Sequence, residues 1–372
     1  MNRRSFILGG LGALGLAAGG GLCFINQPKF GRPPSGDRLA RIQASPHYVG
    51  GKFQCLEPVE VMTNSDENRI TAALKFLTRD TSNLTPKQEM ISKKTDLKTI
   101  PKGEDILIWM GHSTFYLQLN GRKILIDPVF SEYGSPVWFI NRAFPGSNIY
   151  TAGDFPEIDV LAITHDHWDH LDYASVMALK GKIKSIVCPL GVGEYFEQWG
   201  FDVNILHEED WYSEVKLADD LRIHILPSQH FSGRFLESNP TEWCGFAFIT
   251  PKVKVYCSGD GGYGRHFLDI GRRFDGFDLA IMENGQYNER WHKIHMLPEE
   301  TAQATLDVGA RQLVCSHNGK FALALHGWKE PFNVMTYLCK GKPYERLTPM
   351  IGEMVYIGQA GQKFTNWWKD ME

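Results

Sequence analysis

The sequence predicts an α/β fold in which two β-sheets are flanked by helices. Three observations carry that expectation. Residues 105–128, DILIWMGHSTFYLQLNGRKILIDP, hold three apolar strand-like runs, and Asn120-Gly121 between the last two is a hairpin signal. Downstream, strand-like runs alternate with helical ones, the pattern of strand–helix units packed in layers. The chain has 372 residues, 43% of them hydrophobic, which is enough for a large core.

Taken in order, residues 1–25 form an export signal or membrane anchor. Residues 26–104 form a linker and N-terminal wrap, with Pro33-Pro34 and little periodicity before a helical pattern around Ile70, Ala73, Leu74 and Leu77. The folded domain spans 105–372. Within it, further strands are expected at 159–164, 185–188, 221–226, 244–249, 253–258, 278–282, 312–316 and 353–357. Helices are expected at 172–180, 191–199, 298–308 and 331–340. Pro298-Glu299-Glu300 suits a first helical turn, where proline loses no hydrogen bond and carboxylates meet the positive end of the dipole.

Composition excludes several classes. Lys and Arg number 39 against 43 Asp and Glu, a net charge of −4, so no whole-chain field draws nucleic acid and none is expected as a partner. The seven cysteines form no CxxC pair, which argues against a disulfide framework or thiolate zinc and for buried free thiols.

The densest chemistry lies at 159–172, DVLAITHDHWDHLD. An apolar strand runs into His165, His167, Asp169 and His170. Imidazoles this close repel when protonated and leave polar atoms without partners when neutral. A divalent cation answers both problems, and the histidine–carboxylate mixture suits zinc.

HxHxDH after an apolar strand resembles the metallo-β-lactamase superfamily, whose fold is a four-layer αββα sandwich with two mixed sheets and helices outside. That resemblance implies further ligands in order at strand ends. LPSQHF supplies His230, VYCSGDGGY supplies Asp260, and LVCSHNGKFAL supplies His317. By this carry-over His165, His167 and His230 hold one metal, Asp169, His170 and His317 hold a second, and Asp260 bridges them. The implied cofactor is two zinc ions, with other divalent transition metals admissible.

WMGHSTFYLQLNGRKILIDPVFS, RRFDGFDLA, QYNERW, HMLPEE and HNGKFAL narrow the likeness to the branch containing N-acylphosphatidylethanolamine-hydrolysing phospholipase D, over roughly residues 45–358. The branch implies a catalytic role for His295, the histidine before the Pro-Glu-Glu turn, beside Asp169 of the metal loop. The chain departs from the branch at Glu283, Asn284, Gln286 and Gly261, which leaves substrate identity open. Asp127 fits a group that orients the metal loop, or a turn cap. His112 is expected near the site in a structural role. SPVWFINRAF at 135–144 and Trp367-Trp368 allow either buried packing, favoured for the first, or a lipid-facing lip.

The leading functional expectation is a hydroxide bridging two metals that attacks a phosphodiester, such as a phospholipid met at a membrane surface. A lactonase or other small acyl hydrolase on the same metals is the first alternative. A non-catalytic envelope binding protein is the second.

Residues 5–25 carry no charge and, as a helix, would reach about 30 Å at roughly 1.5 Å per residue. NRRSFIL resembles a twin-arginine export signal, which places the domain in the cell envelope. A reporter fused after residue 35 is expected to be exported, and export should fail when Arg3 and Arg4 are replaced. A cytoplasmic reporter with both arginines intact would overturn the signal.

Overall fold

Strands form along the β-branched and aromatic stretches, and their two-residue alternation divides each between two cores. The structure, a computed structural model, describes residues 21, 23–61, 71, 74, 78, 82–218, 220–234 and 237–372. In chain order come helix α1 (Gly36–Ala44) and the small hairpin β1 (Tyr48–Val49) and β2 (Lys52–Phe53). Then follow β3 (Ile106–Trp109), β4 (Phe115–Leu119), β5 (Arg122–Ile126), β6 (Val160–Ala162), α2 (Tyr173–Leu179), β7 (Ile186–Pro189), α3 (Gly193–Gln198) and β8 (Leu206–Glu209). The second half holds β9 (Glu214–Ala218), β10 (Leu221–Leu226), β11 (Gly245–Ile249), β12 (Lys254–Cys257), α4 (His266–Phe274), β13 (Phe277–Glu283), α5 (Pro298–Asp307), β14 (Ala310–Ser316), α6 (Glu330–Leu338), β15 (Glu345–Leu347) and β16 (Met354–Tyr356).

These make two seven-stranded sheets, ordered β16-β3-β4-β5-β6-β7-β8 and β15-β14-β13-β12-β11-β10-β9. Each is mixed: antiparallel from β16 to β5 and from β9 to β12, parallel beyond. Asn120-Gly121 turns β4 into β5 with both residues at positive φ and Leu119 paired to Arg122, as a tight two-residue hairpin requires.

Three cores follow from the alternation. Phe115, Leu117 and Leu119 of β4 meet Phe246 and Phe248 of β11 and Ile223 and Ile225 of β10 between the sheets. Tyr116 points the other way, into the layer with Val176, Leu179 and Phe196 of α2 and α3. Ala247 and Tyr256 likewise face Phe267 and Ile270 of α4, Ala304 of α5 and Met335 of α6. The result is the expected αββα sandwich.

Several local expectations need correction. Residues 36–44, within the stretch read as linker and N-terminal wrap, form α1, whose Arg38 reaches Glu194, Glu197 and Glu208 at 2.7, 2.8 and 2.9 Å. Strands β8, β9 and β15 and helix α4 were not expected; the strands are edge or near-edge elements whose sequence is too polar or too short to stand out. Trp367 and Trp368 are core residues that pack on Phe332. Trp138 and Phe139, favoured as packing, are 75% and 63% exposed. The helical pattern at Ile70, Ala73 and Leu77 lies outside the described residues, as does most of the 5–25 run. Among the described residues no helix is long and apolar enough to cross a membrane.

The loops leaving the C-terminal ends of β5, β6, β10, β12, β13 and β14 gather at one rim, where ligands bind in sheets of this kind. The backbone is strained there: His112, Asp127, Gln286 and His317 have φ of 54°, 42°, 57° and 63°. Gly285 lets two of these loops touch, since a Cβ there would lie 1.9 Å from the His317 carbonyl oxygen. Gly285→Ala should therefore cost about 1–3 kcal/mol or more in chemical denaturation, as overpacking against backbone does. Gly103→Ala, at a site with open space, is the control expected to change little. Equal stabilities would contradict the close approach.

Candidate metal centre

The centre is assembled by strand ends that are rigid because both sheet faces are buried. β6 delivers Thr164 through His170; β10, β12 and β14 deliver His230, Asp260 and His317. All seven expected ligands come together. His165 Nε2 lies 2.9 Å from His167 Nδ1, and His230 Nε2 lies 3.2 Å from the same atom. In the adjoining group, Asp169 Oδ2 is 3.3 Å from His317 Nε2 and 3.7 Å from His170 Nε2. Asp260 Oδ2 sits 3.1 Å from His170 Nε2 and 3.0 Å from His317 Nε2, and the same carboxylate joins the cluster of His165 and His170. It therefore lies between the two groups.

Outer partners decide which ring nitrogens face inward. His230 Nδ1 donates to the Ile294 carbonyl at 3.0 Å. His170 Nδ1 donates to Asp127 Oδ2 at 2.8 Å. Thr164 Oγ1 donates to the same carboxylate at 2.5 Å and accepts from His165 Nδ1 at 2.9 Å. Three imidazoles thus commit their Nδ1 proton to an outer partner and turn Nε2 inward. The centre sets ring nitrogens against ring nitrogens and carboxylates. His170 Nε2 and Asp260 Oδ1 are buried without a hydrogen bond. This donor set fits divalent cations and fits little else. Asp127 is the group that orients the metal loop: it binds His170, the Thr164 hydroxyl and the Thr164 N–H.

Charge tells the same story. Burial opposes ionisation of Asp169 and Asp260, yet His170 and its neighbours hold both carboxyls well below the usual range. Burial also disfavours a charged His170, but Asp260 and Asp169 raise its pKa to about 10. In the metal-free chain a proton there answers carboxylates that otherwise call for a metal. His165 and His230 are pushed well below the normal histidine value, by burial first and neighbouring histidines second, and stay neutral as ligands must.

Two residues take a larger part than expected. His112, expected to be only structural, places Nε2 2.8 Å from Asp169 Oδ2, with its ring 4.3 Å from that of His317. Glu283, seen in the sequence only as a departure from the branch, is fully buried and holds three groups. It accepts from His295 Nδ1 and from Gly261 N, the latter at 2.7 Å, and lies 3.3 Å from His317 Nδ1. Its place at the end of a buried strand was the available signal. His295 is at the centre's edge, its ring stacked 5.1 Å from that of His317 and edge-on at 5.0 Å to that of His230. Asn284 and Gln286 bond backbone groups of the surrounding loops, and His292 faces Glu300 away from the cluster.

Asp127→Asn should keep the fold but weaken metal binding about 10–100-fold, the usual effect of losing a group that orients a ligand. Competition with a chelator of known affinity measures it; unchanged affinity would remove Asp127 from this role.

Comparison with known proteins agrees with this geometry. The β-lactamase superfamily domain matches residues 122–318. A protein of Mycobacterium tuberculosis of unassigned activity is 33% identical over 369 residues, covering 96% of this chain and 97% of its own. Outer membrane protein RomA of Klebsiella pneumoniae is 48% identical over 124 residues, 32% of this chain and 94% of that one. N-acyl-phosphatidylethanolamine-hydrolyzing phospholipase D 1 of Caenorhabditis elegans is 31% identical over 228 residues, 58% of this chain and 64% of that one. Among solved structures, the metallo hydrolase Igni18 of Ignicoccus hospitalis superimposes with a TM-score of 0.51 at 21% identity, over 68% of this chain and 97% of that one, a likeness of fold. The chain belongs to the β-lactamase superfamily, as a metal-dependent hydrolase of metallo-β-lactamase fold on the branch that resembles the N-acylphosphatidylethanolamine-hydrolysing phospholipases.

Proposed function

We propose that the chain is a dinuclear zinc phosphodiesterase acting on a phospholipid-like substrate, with phosphatidic acid as the lipid product. The observation that carries the reading is the pairing of two ligand groups through Asp260, with His295 at their edge. His165, His167 and His230 would hold one metal; Asp169, His170 and His317 would hold the other. Metals bound there would supply charge to neutralise non-bridging phosphate oxygens and to lower the pKa of a water.

The chain's own groups do the rest. Asp127 and Thr164 keep His165 and His170 in the ligating tautomer. Glu283 accepts from His295 Nδ1, and in the imidazolium form the remaining Nε2–H would hold a phosphoryl oxygen or pass its proton to the leaving group. Burial of the surrounding carboxylates and rings excludes water from all but the approach.

A lipid substrate is supported beside the metal loop. A cavity of about 320 Å³ is lined by Trp168 of that loop together with Lys29, Trp138 and Tyr173. Trp138 is exposed and packs edge-on against the exposed Phe139, and Lys29 Nζ donates to the Pro136 carbonyl at 2.7 Å. That bond ties the segment just after the uncharged N-terminal run to the aromatic loop. An envelope location with both facing one membrane surface follows from this reading, and the RomA likeness supports it.

A panel of N-acylphosphatidylethanolamine, simple phosphodiesters and lactones tests the assignment, with products identified by mass. Phosphatidic acid release is expected; ring opening without diester cleavage would make the chain an acyl hydrolase instead. His295→Ala should retain both metals while losing about 10²–10⁴-fold in kcat, the contribution of one positioned acid or donor. Metal lost in step with activity would make His295 a ligand, and unchanged activity would remove it from catalysis.

A further inference from the structure

We propose that His47, Asp210 and Glu242 form a separate divalent-metal site that fastens the N-terminal wrap to the two-sheet core. The three lie just beyond α1, just beyond β8 and just before β11, and none belongs to the centre described above. Their ligand atoms all fall within 4.8 Å of one another.

Glu242 is the observation that calls for a ligand. It is fully buried, and neither of its carboxylate oxygens has a hydrogen bond. A carboxylate so placed is costly unless a cation stands beside it. Beside it stands His47, whose Nδ1 lies 3.3 Å from Glu242 Oε1. That nitrogen is already committed to Asp210 Oδ1 at 2.7 Å. The short bond to Asp210 leaves Glu242 only the longer contact. Burial, with Asp210 beside it, pushes the Glu242 carboxyl well above its usual range, so without a cation it is held as the neutral acid. Among the described residues no Lys or Arg forms an ion pair with either carboxylate.

A divalent cation resolves this. It balances both carboxylates while the imidazole stays neutral and binds through Nδ1. One nitrogen and two oxygens suit zinc or manganese, and His47 and Asp210 are part-exposed, which leaves a path for entry and room for a water as fourth ligand. The mechanical consequence is local. The carbonyl of His47 accepts from Gln54 N at 2.9 Å, so fixing His47 fixes the β1–β2 turn against the core. The ring of His47 lies 4.5 Å from that of Trp211, close enough for a bound paramagnetic ion to quench it.

The test uses the full chain stripped with chelator and titrated with zinc alone, bound metal being counted by elemental analysis. The wild type should take one equivalent more than a His47→Asn/Glu242→Leu protein. The variant should keep its hydrolytic activity and lose the zinc-dependent protection of residues 46–60 against protease. Leucine at 242 replaces a buried ion-pair member by an apolar group, a change commonly tolerated. Asp260→Ala, disabled at the main centre, provides a second count: it should retain one equivalent, and adding His47→Asn should remove it. Cobalt or nickel should quench Trp211 fluorescence in wild type and not in Trp211→Phe. Equal metal counts in wild type and variant, or no metal held by Asp260→Ala, would overturn the site and leave His47, Asp210 and Glu242 as an ion-pair cluster.

Discussion

The constraint on which the structure turns is that three buried imidazoles and two buried carboxylates face one another with their outer protons already committed. Asp127, Thr164 and the Ile294 carbonyl take those protons, and among the described residues the positive charge facing the carboxylates comes from protons on His170 and His317. A fold that buries such a set without a cation accepts a large desolvation cost. Metal binding and the stability of this rim are therefore one equilibrium, and ligand affinity is linked to folding.

The sandwich makes that arrangement possible. Each sheet is buried on both faces, so its strand ends are held in place from two sides. The left-handed backbone at His112, Asp127 and His317, and the close passage of Gly285 under the His317 carbonyl, store strain at the rim that the packed layers sustain. Glu283 extends the network outward. It joins ligand His317 to His295, so a group at the edge of the centre is positioned by the same carboxylate that touches the metal shell.

Legibility in the sequence followed the range of the interaction. The Asn120-Gly121 hairpin and the His165–His170 cluster were readable because each is contained in a few residues. His230, Asp260 and His317 are single residues far apart in the chain; only the resemblance, with its fixed order of strand ends, singled them out. His112 was underestimated because its role depends on a loop returning beside Asp169. Helix α1, within the stretch read as linker and N-terminal wrap, was not legible for a related reason: it is held by Arg38 reaching Glu194 and Glu208, contacts about 160 residues apart that no local pattern reveals. For Trp138 and Phe139 buried packing was favoured over a lipid-facing lip, and their exposure is a property of the surface they form.

The most direct measurement is anomalous diffraction at the zinc edge from crystals of metal-loaded protein. The account predicts two peaks at the rim, one among His165, His167 and His230 and one among Asp169, His170 and His317, both within coordination distance of Asp260. A single peak there with full activity, or a second peak held by Glu283 and His295 in place of Asp169 and His170, would contradict it.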